Sequence, residues 1–484
     1  MNARHLIHIV SIILLALAIA LAVTSAVSAY YGDGDTFAFI ISTVVTAFTG
    51  FVGYRHSSLD RDLSIREGYA VVSLSWIAIG IFGALPYLFT GTLASPTAAL
   101  FESVSGFTTT GATVFAEIEP LPHGILFWRS LTQWIGGMGI IVLGIAILPF
   151  LGVGGMQLFR AEVPGPTPER LRPRITQTAK LLWLVYAGLT IAQVMLYVLG
   201  DMRPFEAVLH AFTTLSTGGF SPRTASIGAY DSAYIDYVTI IFMYLAGINF
   251  TLHFHALTGK PKRYFQDVEW RVYSVTLVAA TLLVLLPFAF NGLYAALGSE
   301  QAIRDSLFQV VSISTTTGFI TEDYGLWPES TQLVLLLLML IGGMAGSTAG
   351  GMKIIRVHAF MRQGITGLKR SLHPRAVLVT RVGRKVLRDD DLLNILGFIL
   401  LFMLCFVAGA LALTLLGNDL ITSLGGAAAA IGNIGPGLGA VGATGNYGGL
   451  NAPTQIVLIF LMLVGRLEIF TILLLFHRDL WRQR

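Results

Sequence analysis

The chain reads as long apolar runs separated by short polar stretches, and the runs come in two lengths. A helix needs about 20 mostly apolar residues to cross the hydrocarbon core of a bilayer. Ten runs reach that length, over residues 6–29, 35–54, 68–91, 125–150, 177–200, 233–257, 270–293, 330–360, 392–417 and 453–477. Four further runs of 10–13 residues lie inside successive pairs of these and are too short to span. The short runs open on helix-start signals: Ser95 precedes Pro96, Pro204 follows Arg203, and Ser299 and Asn418 are placed to cap the third and fourth. All four end at a glycine loop. The loops are Thr109-Thr110-Gly111-Ala112, Ser216-Thr217-Gly218-Gly219, Thr316-Thr317-Gly318-Phe319 and Asn433-Ile434-Gly435-Pro436. Their central glycines, Gly111, Gly218, Gly318 and Gly435, are 107, 100 and 117 residues apart. The unit is therefore span, half-helix, glycine loop, span, repeated four times behind one extra hairpin.

Composition agrees with a membrane setting. Hydrophobic residues make up 54% of the 484 residues and charged ones only 12%, against about 25% charged in soluble chains, and mean hydropathy is +0.72. The first run, behind Arg4, exceeds the 7–15-residue apolar core of a secretory signal. Although Val27-Ser28-Ala29 resembles a cleavage site, the expectation is a retained helix. With the N-terminus inside, 26 of the 31 Lys and Arg fall on the inner side, as the positive-inside rule requires. The glycine loops then all face outward, with Glu102, Glu206 and Asp305 beside them. Such placement predicts a negative outer mouth that concentrates cations.

Four re-entrant loops of this kind suit ion selection. Backbone carbonyls converging from several loops can replace the hydration shell of a cation, and glycine lets the backbone take positive φ without steric cost. Half-helices entering from outside also aim their negative C-terminal dipole ends at the cavity below. The fold class expected is an all-α polytopic membrane protein: an N-terminal two-helix hairpin (residues 1–62) plus four span–pore-helix–filter-loop–span repeats around one central pore. The repeats occupy 63–160, 161–262, 263–370 and 371–484.

Two features point to a gate. Gly342 to Gly351 places five glycines around Ser347 and Thr348 at membrane depth, where irregular backbone is tolerated only if it is protein-buried or lines a cavity. Arg466 lies inside Leu461–Phe470, and an arginine at such depth costs at least ~2.5 kcal/mol, so it must face a partner or an aqueous path. Glu468 points to another side of that helix and cannot pair with it locally. Lys353 is read as the cytosolic boundary. Cys405, the single cysteine, reads as a small core residue, and His253 and His255 as helix-end residues with poor geometry for a shared metal. Gly437-Leu438-Gly439-Ala440-Val441-Gly442 matches a dinucleotide fingerprint literally, but it follows a half-helix rather than a strand. It is read as a filter exit. Metalloprotease, nucleophile-elbow and Walker A patterns are not found, so an enzyme is not expected.

The segments Ser105–Ala112, Thr213–Phe220, Ser312–Phe319 and Ala430–Gly437 resemble the filter regions of TrkH-type subunits in the Trk/Ktr/HKT superfamily of potassium transporters, and the resemblance extends over nearly the whole chain. It implies potassium uptake across the bacterial inner membrane, with both termini cytoplasmic. It further implies potassium binding by Thr109, Thr110, Gly111, Ser216, Thr217, Gly218, Thr316, Thr317, Gly318, Asn433, Ile434 and Gly435. Glycine at all four central positions goes with potassium selectivity in this superfamily, and serine at the first with sodium. The resemblance also assigns the gate to an intramembrane loop, Gly346, Ser347, Thr348, Ala349, Gly350 and Gly351, with Arg466 as an electrostatic barrier. Potassium would be the only ion held at the filter residues, with no organic cofactor on this chain. Partners implied are a second copy, membrane lipid and a cytosolic ring of nucleotide-binding TrkA-type subunits, docked on residues 152–175 and the ten-charge segment 353–388. Nucleic acid is not among them. A proton- or sodium-coupled cation symporter is the competing reading within transport, and an intramembrane hydrolase the rival of another class.

Overall fold

The computed structural model describes residues 3–58, 63–146, 171–290, 298–383 and 385–481. It is almost entirely helical; the β structure among the described residues is one two-stranded hairpin, Arg381–Val382 with Lys385–Val386. The N-terminal hairpin is α1 (Ala3–Tyr31) against α2 (Thr36–Arg55). Repeat 1 contains α3 (Ile65–Gly83), α4 (Leu85–Phe89), the half-helix α5 (Pro96–Phe107) and α6 (His123–Ala146). Repeat 2 contains α7 (Leu171–Leu199), the half-helix α8 (Pro204–Leu215), α9 (Ala233–Ala246) and α10 (Phe250–Leu257). Repeat 3 contains α11 (Val268–Phe290), the half-helix α12 (Ser299–Ser314), α13 (Glu329–Ile341) and α14 (Ile354–Leu372). Repeat 4 contains α15 (Asp389–Leu415), the half-helix α16 (Leu420–Gly432), α17 (Ala452–Arg466) and α18 (Phe470–Leu473).

Among the described residues, six helices are long and apolar enough to cross a membrane, and eight if two bent pairs are each counted as one span. Apolar residues also lie on the outside. On α15, Leu400, Leu404, Val407, Leu411 and Leu415 form one exposed stripe at three- and four-residue spacing, while Phe398, Phe402, Phe406 and Leu413 are buried. That distribution is stable only where the surroundings are as apolar as the side chains. The protein is multi-pass, as expected.

The half-helix starts are partly as the sequence suggested. Ser95 caps α5, with Pro96 in the first turn, and α8 opens on Pro204. The other two starts shift by one residue. Gly298, at φ +83°, precedes α12, and Asp419 caps α16 by accepting from Thr422 N at 3.0 Å. A carboxylate caps at least as well as the Asn418 amide, and Asn418 instead donates to Leu413 O at 2.8 Å.

Two expected continuous spans are broken. Residues 233–257 bend by 102° at Gly247-Ile248-Asn249, and 453–477 by 115° at Leu467-Glu468-Ile469. The span 330–360 is interrupted, as expected, between Ile341 and Ile354. Breaks at membrane depth free backbone groups that lipid cannot satisfy. Here the breaks satisfy one another: Met344 N donates to Gly247 O at 3.0 Å and Phe250 N to Gly346 O at 3.1 Å. His253 reinforces the bend through a 2.9 Å contact with Leu245 O. The fourth-repeat break has Glu468 and Ile469 at φ +55° and +53°.

Candidate functional site

Each half-helix unwinds into its loop through the same backbone sequence. Thr109, Thr217, Thr316 and Asn433 have φ of +51°, +54°, +58° and +54°, and two residues later Gly111, Gly219, Gly318 and Gly435 have φ of +80°, +77°, +79° and +98°. β-Branched residues rarely adopt positive φ, and each costs on the order of 1–3 kcal/mol unless its surroundings enforce it. The enforcement comes from the half-helix. Thr110 N and Gly111 N both turn back to Ser105 O, Gly218 N and Gly219 N to Thr213 O, Thr317 N and Gly318 N to Ser312 O, and Ile434 N to Ala429 O.

This equivalence corrects the second loop. The residues matching Thr109-Thr110-Gly111 are Thr217-Gly218-Gly219, not Ser216-Thr217-Gly218. Ser216 occupies the place of Thr108 and Thr315, and Gly219, not Gly218, is the central glycine of the second loop. The corrected spacings are 108, 99 and 117 residues.

The loops close on each other in order. A Cβ on Gly111 would run into Gly218 O, one on Gly219 into Thr317 O, one on Gly318 into Ile434 O, and one on Gly435 would approach Thr110 O at 2.7 Å. Each left-handed glycine thus lies against the preceding residue's carbonyl in the next loop, and the fourth returns to the first. Four short loops far apart in sequence form one ring whose edges are backbone oxygens. Two side chains brace it. Gln133, on α6, donates to Gly218 O at 2.8 Å and accepts from Phe220 N at 3.0 Å. Asn433 donates to Thr110 Oγ1 at 3.0 Å and to Met462 O at 2.9 Å, joining the fourth quarter to the first. Gln133 was not among the residues read from sequence; nothing in an apolar span marks which amide will face a loop.

On the side of the ring where the loops exit lies a cavity of about 80 Å³, bordered by Gly111, Gly219, Gly318 and Gly435. Its charge differs from the expected negative mouth. Glu102 is fully buried, 2.8 Å from Arg129 Nε, and also accepts from Val114 N at 3.0 Å. Glu206 pairs with Arg223 at 2.7 Å. Both arginines border the cavity, so these carboxylates hold the loop exits rather than attract ions. Removing one member of a buried pair strands the other charge, at about 3–5 kcal/mol. Arg129→Leu should therefore lower the unfolding midpoint in detergent markedly, and adding Glu102→Gln should recover part of the loss. A midpoint like that of the unsubstituted protein would contradict this role.

Below the ring sits the interrupted span. Gly350 N donates to Thr316 Oγ1 at 2.7 Å, so the glycine-rich segment hangs directly from the third loop. Thr348 donates to Leu215 O at 3.0 Å and to Ala246 O at 3.2 Å. Ala345 N donates to Glu269 at 2.7 Å. Arg466 reaches this segment too: Nη1 donates to Thr348 O at 2.9 Å and Nη2 to Gly136 O at 3.1 Å. The two gate features read separately from the sequence are in contact. Lys353 is not at a boundary: it is buried at φ +72° and folds back to donate to Ala349 O. Glu468 finds its partner 112 positions away in Arg356, at 2.6 Å, and Arg356 stacks over Phe398. The described residues of the segment 353–388 include α14 and the two short strands, while residues 152–170 lie outside the described ones.

Spanning helices arranged around a closed ring of backbone oxygens define a membrane transport protein. The TrkH family, described as cation transport protein, matches residues 35–482. The chain belongs to this family. It is 42% identical over 491 residues to the Trk system potassium uptake protein TrkH of Vibrio parahaemolyticus, covering all of both chains. It is 41% identical over 493 residues to the Escherichia coli protein of that name, again over both full lengths. The crystal structure of the potassium transporter TrkH from Vibrio parahaemolyticus superposes with a TM-score of 0.92 at 39% identity, covering all of both chains.

Proposed function

We propose that this protein takes up potassium across the bacterial inner membrane through a single axial pore, with both termini cytoplasmic. The reading rests on the cyclic order of contacts Gly111–Gly218, Gly219–Thr317, Gly318–Ile434 and Gly435–Thr110. Such a ring presents one backbone oxygen per quarter, from Thr110, Gly218, Thr317 and Ile434, to an ion that has shed its water. Gly346 to Gly351 and Arg466 form the gate: the loop fills the space under the third filter loop, and the guanidinium adds a positive charge beneath it. A second copy and a TrkA-type nucleotide-binding ring would act on α14 and the loop it carries.

The test is rubidium uptake by proteoliposomes, with and without a proton gradient. Channel-like passage predicts uptake down the rubidium gradient alone, unchanged when the proton gradient is collapsed at fixed voltage. Uptake that requires a proton or sodium gradient would instead establish coupled symport.

A further inference from the structure

The corrected register allows the four quarters to be compared position by position, and one position breaks the pattern of charge. Thirteen residues before each central glycine the half-helices carry Ala98, Glu206, Asp305 and Thr422; four residues after it the exit strands carry Phe115, Arg223, Glu322 and Gly439. The two positions face each other across each quarter where their contacts are seen. Glu206 pairs with Arg223 at 2.7 Å, and a Cβ on Gly439 would meet Thr422 Oγ1. Quarter 1 is apolar at both positions, quarter 2 has an ion pair, and quarter 4 is uncharged. In quarter 3 both positions are acidic, Asp305 opposite Glu322, and the two lie within electrostatic reach.

Asp305 is only 6% exposed, and its Oδ2 has no hydrogen-bond partner among the described residues. The neighbouring Arg304 lies within electrostatic reach but makes its ion pairs elsewhere, with Asp236 at 3.2 Å and Glu300 at 3.3 Å. One turn along, Gln309 is fully buried and its Oε1 is equally unpartnered. The other polar atom of each side chain approaches Thr321. Asp305 Oδ1 lies 3.5 Å from Thr321 Oγ1, and the Gln309 amide nitrogen lies 3.4 Å from Thr321 Oγ1 and 3.4 Å from Glu322 O. These separations are long for hydrogen bonds. Ligands about 2.4 Å from an ion, the calcium distance, would lie about 3.4 Å apart in octahedral array, so a larger monovalent ion such as thallium(I) is held once this cluster widens by about half an ångström. Turning over the Gln309 amide, whose oxygen and nitrogen are interchangeable in shape, makes the donor set all oxygen.

We propose that Asp305, Gln309, Thr321 and the carbonyl of Glu322 form a lateral site for a partly dehydrated monovalent cation, behind the third filter loop and off the pore axis. The ion supplies in quarter 3 the positive charge that Arg223 supplies in quarter 2. Asp305 is the one buried carboxylate at the site, and the exposed Glu322 contributes its carbonyl there, so a single positive charge meets the buried carboxylate. Buried charges must be paired or coordinate a cation. The consequence is that the exit strand of loop 3 is braced by an exchangeable ion, while its counterpart in loop 2 is braced by a side chain of the protein itself.

The experiment is anomalous diffraction from thallium(I)-soaked crystals of the full-length protein, of Asp305→Asn and of Glu322→Arg. The unsubstituted protein should show a peak among the four oxygens, separate from any on the axis. Asp305→Asn removes the charge and should lose that peak alone. Glu322→Arg, at an exposed position that leaves the core intact, recreates the quarter 2 pair and should also lose it, even if the Asn variant fails to fold. No lateral peak in the unsubstituted protein, or one that persists in Glu322→Arg, would overturn the proposal. Because axial and lateral peaks are read from the same map, loss of one does not disguise loss of the other.

Discussion

Gly111→Ser is expected to reduce the preference for K⁺ over Na⁺ by about tenfold or more, corresponding to about 1.4 kcal/mol of lost discrimination. The reason is steric and local. Gly111 sits at φ +80°, and any Cβ there meets the carbonyl oxygen of Gly218. That oxygen must retreat, and it is held from behind by Gln133 at 2.8 Å. One edge of the ring then differs from the other three, and the serine hydroxyl adds a donor set suited to a smaller, more hydrated ion. Gly111→Ala separates the two effects, since it adds the same Cβ without the hydroxyl. Paired rubidium and sodium flux measurements decide the matter: an unchanged ratio in Gly111→Ser would mean that these oxygens do not select.

Arg466→Ala is expected to raise rubidium flux in the absence of any regulatory partner, by about one to two orders of magnitude. Arg466 is buried, it donates to carbonyls of Thr348 and Gly136, and among the described residues no carboxylate forms an ion pair with it. A unit charge about 6 Å from a passing cation, at an effective dielectric near 20, raises its energy by about 3 kcal/mol. Truncation removes both that barrier and one of the ties holding Thr348. Arg466→Lys keeps the charge but loses the two-pronged geometry, so it should retain most of the barrier with a looser loop. Flux at or below the unsubstituted level in a properly folded Arg466→Ala protein would show that the arginine is structural only.

How much of this is legible in the sequence depends on the kind of signal. Half-helices and glycine loops are readable because an apolar run too short to span, ending at glycine and recurring four times, fits little besides a re-entrant loop. The register of loop 2 is not, because Gly218 and Gly219 are adjacent and only backbone torsion tells them apart. The bends at 247–249 and 467–469 are hidden by hydropathy, which continues through Ile248 and Ile469 as if the helix did. Positions of charge are visible but not their partners. Glu102 and Arg129 are 27 residues apart and Glu206 and Arg223 are 17 apart, so the pairing that turns these two carboxylates of an apparent acidic mouth into neutral braces emerges only once the chain is folded. Lys353 misleads for a related reason: a lysine after an apolar run normally marks the interface, whereas here it folds back under the loop it follows.

The most direct test of the central idea is where a heavy potassium analogue binds along the axis. Rubidium-exchanged crystals should give anomalous density level with the carbonyl oxygens of Thr110, Gly218, Thr317 and Ile434, equidistant from the four quarters. Density confined to the protein's periphery, with nothing between those oxygens at saturating rubidium, would contradict the account.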